Sequence, residues 1–215
     1  MQIGKTQLPS EDAIRRALAE FQVSANTSQV LQIQQYMDVL LRWNDKMNLT
    51  AIRDPLEILY RHFCESMFGA VVLSAERCRL ADVGSGGGFP GIPMKIICPD
   101  MDLYLIESNM KKATFLTEVV RELGLTGVRV LVSRYEELSE EVAPLDIICS
   151  RAVGEFGAFL EWASSPLIGA QKVGLWIGAQ DAESVRRLRT WSWDEPKPIP
   201  HSMRRFILIG NRPLQ

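Results

Sequence analysis

The stretch Leu80-Ala81-Asp82-Val83-Gly84-Ser85-Gly86-Gly87-Gly88-Phe89-Pro90-Gly91-Ile92-Pro93 decides the fold of this chain. Leu80 to Val83 is a short apolar run of the kind that forms a buried strand. It gives way at once to glycine, which lacks a Cβ, takes positive φ without steric cost and lets a ligand approach the backbone. Pro90 and Pro93 stand where a helix would begin, and proline is tolerated in a first helical turn. The order is strand, glycine loop, helix, which is where an open α/β sheet holds a nucleotide-like ligand.

The spacing of the glycines bears on which ligand. The dinucleotide pattern G-x-G-x-x-G fits poorly. Counted from Gly84, its third glycine is Phe89; counted from Gly86, through Gly88 and Gly91, it starts two residues beyond the expected strand end. Asp82-x-Gly84-x-Gly86-x-Gly88 describes the loop better. An acid just before the loop suits a cation more than a pyrophosphate. S-adenosylmethionine, with a sulfonium, an ammonium and no phosphate, is such a ligand. Leu103 to Glu107 reads as the next strand and ends in a carboxylate about 20 residues after the loop, where an acid binds ribose hydroxyls. The alternatives are a tight turn in a nucleotide-free α/β protein, and a nicotinamide-dependent oxidoreductase. Loop, Asp82 and Glu107 occurring in order argue against the first, Asp82 and Phe89 against the second.

Composition sets outer bounds. A chain of 215 residues with 47% hydrophobic and 23% charged residues is an ordinary globular protein. It is large enough for a sizeable core without staples. A net charge of −2 gives no global field to draw in nucleic acid, so any such contact must come from a local patch. Four cysteines (Cys64, Cys78, Cys98, Cys149) lie far apart without a CxxC, and His62 and His201 are the only imidazoles, so no metal is expected. No stretch approaches the ~18 apolar residues of a membrane span and the polar N-terminus is no signal peptide, so a cytoplasmic protein is expected.

Outward from the loop, the chain alternates. Helices are expected at 90–97, 111–123, 155–163 and 182–189, and strands at 103–106, 128–132, 145–150, 173–177 and 206–209. Gly124 is placed to end the second helix. Alternating β and α means a mostly parallel sheet with helices on both faces. Right-handed crossovers bring the strand C-termini to one edge, with Gly84–Gly88, Glu107, Ser133–Glu136 and Ser150-Arg151 along it. Before the sheet, residues 1–9 read as a tail and Ser10 caps a helix to Phe21. Thr27 or Ser28 caps a second helix, broken from Asn44 to Asn48, and a third runs from Pro55 to Leu73. Residues 1–75 are thus an N-terminal helical cap and 76–215 the sheet domain, in one integrated globular unit.

Three sites beyond the loop stand out. His62 and Glu65 are i, i+3 neighbours, beside Arg61 and Ser66, and taken alone read more simply as a surface pair than as a catalytic site. Arg151 closes the strand Leu145 to Ser150, where its plain alternative is a strand-end salt bridge. Neither an Asn/Asp-Pro-Pro-aromatic motif nor a Pro-Cys nucleophile accompanies it, and Cys149 falls inside the strand. Basic residues beside tryptophans, Arg186-Arg187-Arg189 leading to Trp191 and Trp193, and also Lys111-Lys112 and Arg204-Arg205, are the local patches where a nucleic acid would be met by phosphate contact and base stacking, the plainer alternative being a solvated face with packed tryptophans.

Asn48-Leu49-Thr50-Ala51-Ile52, His62 with Glu65-Ser66, the Asp82–Pro93 run and Ser150-Arg151-Ala152 stand in order. Together they resemble the bacterial 16S ribosomal RNA (guanine-N7) methyltransferase family, also called glucose-inhibited division protein B. The resemblance runs from about residue 25 to the end, and its Gly-Gly-Gly-Phe-Pro-Gly-Ile-Pro segment is far more specific than a bare glycine motif. It implies a class I S-adenosylmethionine-dependent methyltransferase: a Rossmann-like, mostly parallel seven-stranded sheet with helices on both faces and an N-terminal helical cap. It implies methyl transfer to N7 of a guanine in the 530 loop of 16S rRNA (guanine 527 in the family). The partner is then 16S rRNA or the small ribosomal subunit, with no membrane and no metal, and a monomer is expected. The cofactor residues it implies are Asp82, Gly84, Ser85, Gly86, Gly88, Phe89, Glu107, Ser108, Arg134, Tyr135, Glu136 and Arg151. Arg151 positions the acceptor, and His62 is a weaker catalytic candidate. Two positions depart from the family: its Lys-Gly after the strand near Val173 is Gly178-Ala179, and its Asp before Ser66 is Glu65. A small-molecule methyltransferase, or a catalytically weakened RNA-binding relative, is the remaining alternative.

Guanine N7 carries a lone pair and no proton, so its methylation requires neither a general base nor a covalent nucleophile. The rate must come from alignment and charge stabilisation. A cofactor loop without an amino-methylation motif or Pro-Cys is consistent with that.

Overall fold

The apolar run before the glycines is β1 (Arg79–Val83), which sits in the middle of a sheet. The fold is described by a computed structural model covering residues 7–138, 142, 144–151 and 154–213. Residues 1–6 of the expected tail, with Ala152 and Val153, lie outside the described residues. β1 pairs in parallel with β2 (Asp102–Ile106) on one side and β4 (Ile147–Ser150) on the other. β3 (Val128–Leu131) extends the sheet beyond β2, and β5 (Lys172–Gly178) extends it beyond β4, again in parallel. Strand order therefore reverses beside β1, and the crevice at such a reversal is where open α/β sheets bind ligands.

The far side departs from expectation. β8 (Arg205–Asn211) runs antiparallel between β5 and the two-residue β6 (Ser192–Trp193), and the two-residue β7 (Lys197–Pro198) also pairs with it. The described residues thus form eight strands rather than seven; two-residue strands carry no alternation that a sequence pattern could reveal. Because β8 is antiparallel, its first residue, Arg205, lies opposite Gly178 at the C-terminal end of β5.

The helical cap forms as its caps dictate, with two corrections. In α1 (Glu11–Glu20) Ser10 Oγ accepts from Ala13 N. α2 (Thr27–Met47) is capped by Asn26 instead of Thr27 or Ser28, because Asn26 and Gln29 exchange side-chain and backbone bonds in a capping box. α2 is also not broken at Asn44: that side chain turns inward, and its Oδ1 accepts from Thr50 N at 2.9 Å, so it braces the following loop. The helix ends at Asn48, in the left-handed region with φ +48°. The third helix is continuous but not uniform: α3 (Pro55–Ile58), a π-helical segment (Leu59–Cys64) and α4 (Glu65–Leu73). π-turns are frequent at functional sites, and this one carries Arg61 and His62.

α5 (Gly91–Ile97) and α6 (Met110–Glu122) share one face of the sheet with the cap; α7 (Phe156–Ser164) and α8 (Ala179–Arg186) cover the other. One core runs without a gap from Ile14, Ile33 and Phe63 of the cap through Leu80 and Leu105 of the sheet to Ile207 and Ile209. Each fully buried Leu, Ile or Phe contributes roughly 1.5–3 kcal/mol, so cap and sheet stabilise one another. Trp191 and Trp193 belong to the second core, where Trp191 Nε1 donates to Leu160 O and Trp193 Nε1 to Leu188 O. Trp191 is buried there, and Trp193 packs on the sheet half-buried, beside Arg186 and Arg189. Among the described residues no helix is long and apolar enough to cross a membrane.

Candidate active site

The glycine loop is tied to the second strand before it meets any ligand. Gly84 N and Ser85 N both donate to Ile106 O, and Gly88 N and Phe89 N both donate to Ser85 O. Gly84, Gly86 and Gly88 have φ of +73°, +55° and +83°, which side-chain-bearing residues rarely adopt. Their surroundings differ. A Cβ on Gly84 would meet nothing within 4 Å, whereas one on Gly88 would meet Tyr36 Oη at 2.2 Å and one on Gly91 would meet Asp82 Oδ2 at 2.8 Å. Gly84 therefore leaves an open cradle for a ligand, while Gly88 and Gly91 permit close packing of the loop on the cap and on β1.

The cradle opens into a cleft of about 340 Å³ at the C-terminal edge of β1, β2 and β3. Of the expected cofactor residues, Gly84, Ser108, Arg134, Tyr135 and Glu136 line it. Glu107 stands at its margin. One of its oxygens accepts from Gly86 N at 2.9 Å and the other from Asn109 N at 2.8 Å. A carboxylate has about four acceptor sites, so capacity for ribose hydroxyls is left. Val83, Ile106, Gly154 and Glu155 also line the cleft and were not expected. The first two are the last residues of their strands, which the strand boundaries imply; Gly154 and Glu155 carry no local signal.

Four expected residues take other places. Ser85 is buried and its Oγ donates to Asp82 O at 2.8 Å, holding the loop shut. Gly86 serves as the donor to Glu107. Phe89 turns away from the cleft, because the two bonds to Ser85 O fold the loop back into the apolar cap. It stacks on Tyr36 and His62 with centroids 5.4 and 4.7 Å apart, and meets Phe63 edge-on. Tyr36 Oη also donates to Gly87 O, so α2 holds the loop directly. Asp82 is fully buried and braces Gly91 N at 2.9 Å. Burial raises its carboxyl to about 7, against the pull of the Gly91 bond and Arg151. Its Oδ1 has no hydrogen-bond partner among the described residues. A buried acid with an unanswered oxygen, one strand residue before the open glycine cradle and poised to ionise near neutral pH, is compatible with a cationic ligand such as S-adenosylmethionine.

At the end of β4, Ser150 Oγ donates to Val83 O at 2.8 Å, locking β4 to β1, and Arg151 follows. Its guanidinium donates to Glu65 Oε2 at 3.2 Å, Arg61 O at 3.0 Å and Ser66 Oγ at 3.3 Å. Glu65, 2% exposed, is also held by Arg205 at 2.7 Å. Burial raises the Glu65 carboxyl and the guanidiniums of Arg151, Arg205 and Arg61 pull it back. The strand-end salt bridge is thus present, but as part of a two-arginine clamp. His62 shares this corner. Its Nε2 is 2.7 Å from Thr50 Oγ1, and its ring lies on Phe89. Burial, then the charges of Arg151, Arg61 and Arg205, lower it to about 3, so it is neutral at physiological pH. Cys149 is buried within β4, and burial pushes its thiol well up, which removes it as a nucleophile.

A reversed-order α/β sheet with this loop and cleft is the architecture of S-adenosylmethionine-dependent methyltransferases. The likeness to a solved SAM-dependent methyltransferase from Aquifex aeolicus bears on the fold: TM-score 0.58, 16% identity, covering 76% of this chain and 96% of that one. A TrmK from M. capricolum, solved with S-adenosylhomocysteine, aligns with TM-score 0.52 at 15% identity over 67% of each chain. At the level of sequence, residues 29–192 match the model of the GidB family, rRNA small subunit methyltransferase G. The ribosomal RNA small subunit methyltransferase G of Dichelobacter nodosus is 37% identical over 158 residues, 74% of either chain. This chain belongs to that family.

Proposed function

We propose that this protein transfers a methyl group from S-adenosylmethionine to N7 of a guanine in 16S rRNA, the 530-loop guanine by family resemblance, acting in the cytoplasm where ribosomal RNA is its substrate. One juxtaposition carries the reading. An open glycine cradle next to a buried acid shares its edge with a cationic clamp, and the histidine of that corner is held neutral.

When bound, S-adenosylmethionine supplies a methyl on a positive sulfur, which the N7 lone pair takes while the S–C electron pair stays on sulfur, so no proton moves. The chain's residues then have three tasks. Gly84, Gly86 and Glu107 fix the ligand's sugar end against β1 and β2, and Arg134 to Glu136 close the cleft beyond it. Asp82 braces Gly91 N behind the loop, and its carboxyl, held at about 7 by burial, ionises more readily when a cation binds nearby. Arg151 holds the acceptor in line through its planar fork, while Glu65, Ser66 and Arg61 O hold Arg151. Alignment of this kind supplies most of the rate when no proton transfer is needed.

The test is transfer of labelled methyl to 16S rRNA, free or in small subunits lacking the mark, followed by chain cleavage specific to N7-methylguanine. Label at one guanine is the expected result. Label on a small molecule alone, or none with the cofactor bound, refutes the proposal.

A further inference from the structure

The clamp contains one more cation than its anion can answer. Arg151 and Arg205 approach opposite oxygens of the single carboxylate of Glu65, at 3.2 and 2.7 Å. The nearest further guanidinium, Arg61, is already committed to Glu57 at 3.1 Å. Two guanidiniums share the one carboxylate they bond, and the buried Asp82, which also feels Arg151 but whose carboxyl is raised to about 7, answers the second only in part.

Arg151 is the more enclosed of the pair, 19% exposed against 31% for Arg205. Arg205 is also restrained by Ser202 Oγ, which accepts from its Nε at 3.0 Å, and its Nη1 makes no hydrogen bond among the described residues. The topology puts it on the ligand edge. β8 starts there, and Arg205 is the register partner of Gly178, the last residue of β5.

We propose that Arg205 is a second acceptor-side residue that holds a backbone phosphate of the RNA, with Glu65 as the brace that aims it. This rests on RNA being the acceptor. A phosphate suits the surplus charge better than the guanine ring does. Methylation at N7 leaves the ring cationic, so a second guanidinium brought against the ring beside Arg151 would add to the repulsion, whereas one on a phosphate binds the strand without that penalty. Arg205 is a positioning residue in this scheme; it touches no reacting atom.

The experiment measures affinity for unmodified 16S rRNA against salt concentration, alongside cofactor affinity and single-turnover methylation. Arg205→Gln keeps a donor for Glu65 and removes the charge, and Glu65 retains Arg151. Loss of one phosphate contact should reduce the slope of log affinity against log salt by about 0.7, and weaken binding at low salt by about tenfold. Cofactor affinity should stay within about twofold. Arg205→Lys should keep the slope.

Gly178 offers a relocation test. Its φ is −80°, and an added Cβ would meet only Asp181 Oδ2 at 3.8 Å and Arg204 O at 3.9 Å, so a side chain fits. Gly178→Lys with Arg205→Gln should recover the slope from the neighbouring strand. An unchanged slope in Arg205→Gln, cofactor affinity falling in parallel with RNA affinity, or no recovery in the double variant overturns the assignment to Arg205. Absence of salt-dependent RNA binding in the unsubstituted protein overturns the RNA reading as well.

Discussion

Tyr36→Phe removes one oxygen from the interior and tests whether the helical cap shapes the cofactor loop. Tyr36 is fully buried, and its ring is fixed between Phe89, stacked at 5.4 Å, and Phe63, edge-on at 5.0 Å. Both contacts survive the substitution. What is lost is the bond from Oη to Gly87 O. A buried carbonyl left without its donor costs about 1–3 kcal/mol of stability. Gly87 lies between Gly86 and Gly88, both at positive φ, so a loosened loop must be re-ordered when the cofactor binds. Fixing one residue's backbone costs about 1–2 kcal/mol, so cofactor affinity should fall about 5- to 30-fold. Calorimetric titration with S-adenosylmethionine and urea denaturation of the same preparation measure both quantities. A destabilised Tyr36→Phe protein that binds cofactor as tightly as the parent would refute the idea that the cap holds the loop for its ligand. Unchanged stability would refute the bond itself.

Other substitutions separate the remaining roles. Glu107→Ala frees Gly86 N and Asn109 N and, in the proposed function, removes the acceptor for the ribose hydroxyls, so cofactor affinity should drop at least tenfold by calorimetry while the fold persists. Arg151→Ala should leave cofactor affinity nearly intact, lower single-turnover methylation more than tenfold and cost about 1–3 kcal/mol of stability through its lost bonds. Arg151→Lys should rescue little, because one ammonium cannot reach Glu65, Ser66 and Arg61 O in the geometry of a planar fork. His62, lowered to about 3 from 6.5, should add no ionisation to the rate profile, so His62→Gln should leave the shape of that profile unchanged. Its effect on stability has a definite sign. The unfolded chain takes the proton first as pH falls, so this residue's contribution is complete above pH 6.5 and is lost towards pH 3. Urea midpoints at pH 7.5 and 5 should show the parent losing about 2 kcal/mol more than His62→Gln. Asp82, raised from 3.8 to about 7, acts the other way: its contribution is present below its ordinary value and lost as pH rises towards 7. Being common to both proteins, it cancels in the comparison.

The loop and the five parallel strands were legible because both are local signals. An apolar run that breaks into glycine has few conformational solutions, and alternation of strand and helix periods fixes the sheet's direction. The same locality explains what was missed. Asn26 outcompetes Thr27 and Ser28 as a cap because Gln29 is three residues on to reciprocate. Asn44 looks like a helix breaker until the backbone of Thr50, six residues later, supplies its partner. Phe89 sits among glycines, yet its surroundings are Tyr36 and His62, from helices that precede the loop by tens of residues. The Glu65 clamp was beyond reach altogether. Its arginines lie 86 and 140 positions further along the chain, and pattern reading has no range at that separation.

That separation gives the protein an order of birth. β8 is built into the sheet between β5 and β6, yet it is the last strand to be synthesised among the described residues. A nascent chain that has reached residue 204 already contains the glycine loop, the cap that braces it and the first four strands of the parallel sheet with β5. It has no antiparallel neighbour for β5, and Glu65 has only Arg151 to answer it. The second arginine of the clamp is therefore the last part of the site to be supplied, and it reaches Glu65 only once β8 has taken its place beside β5.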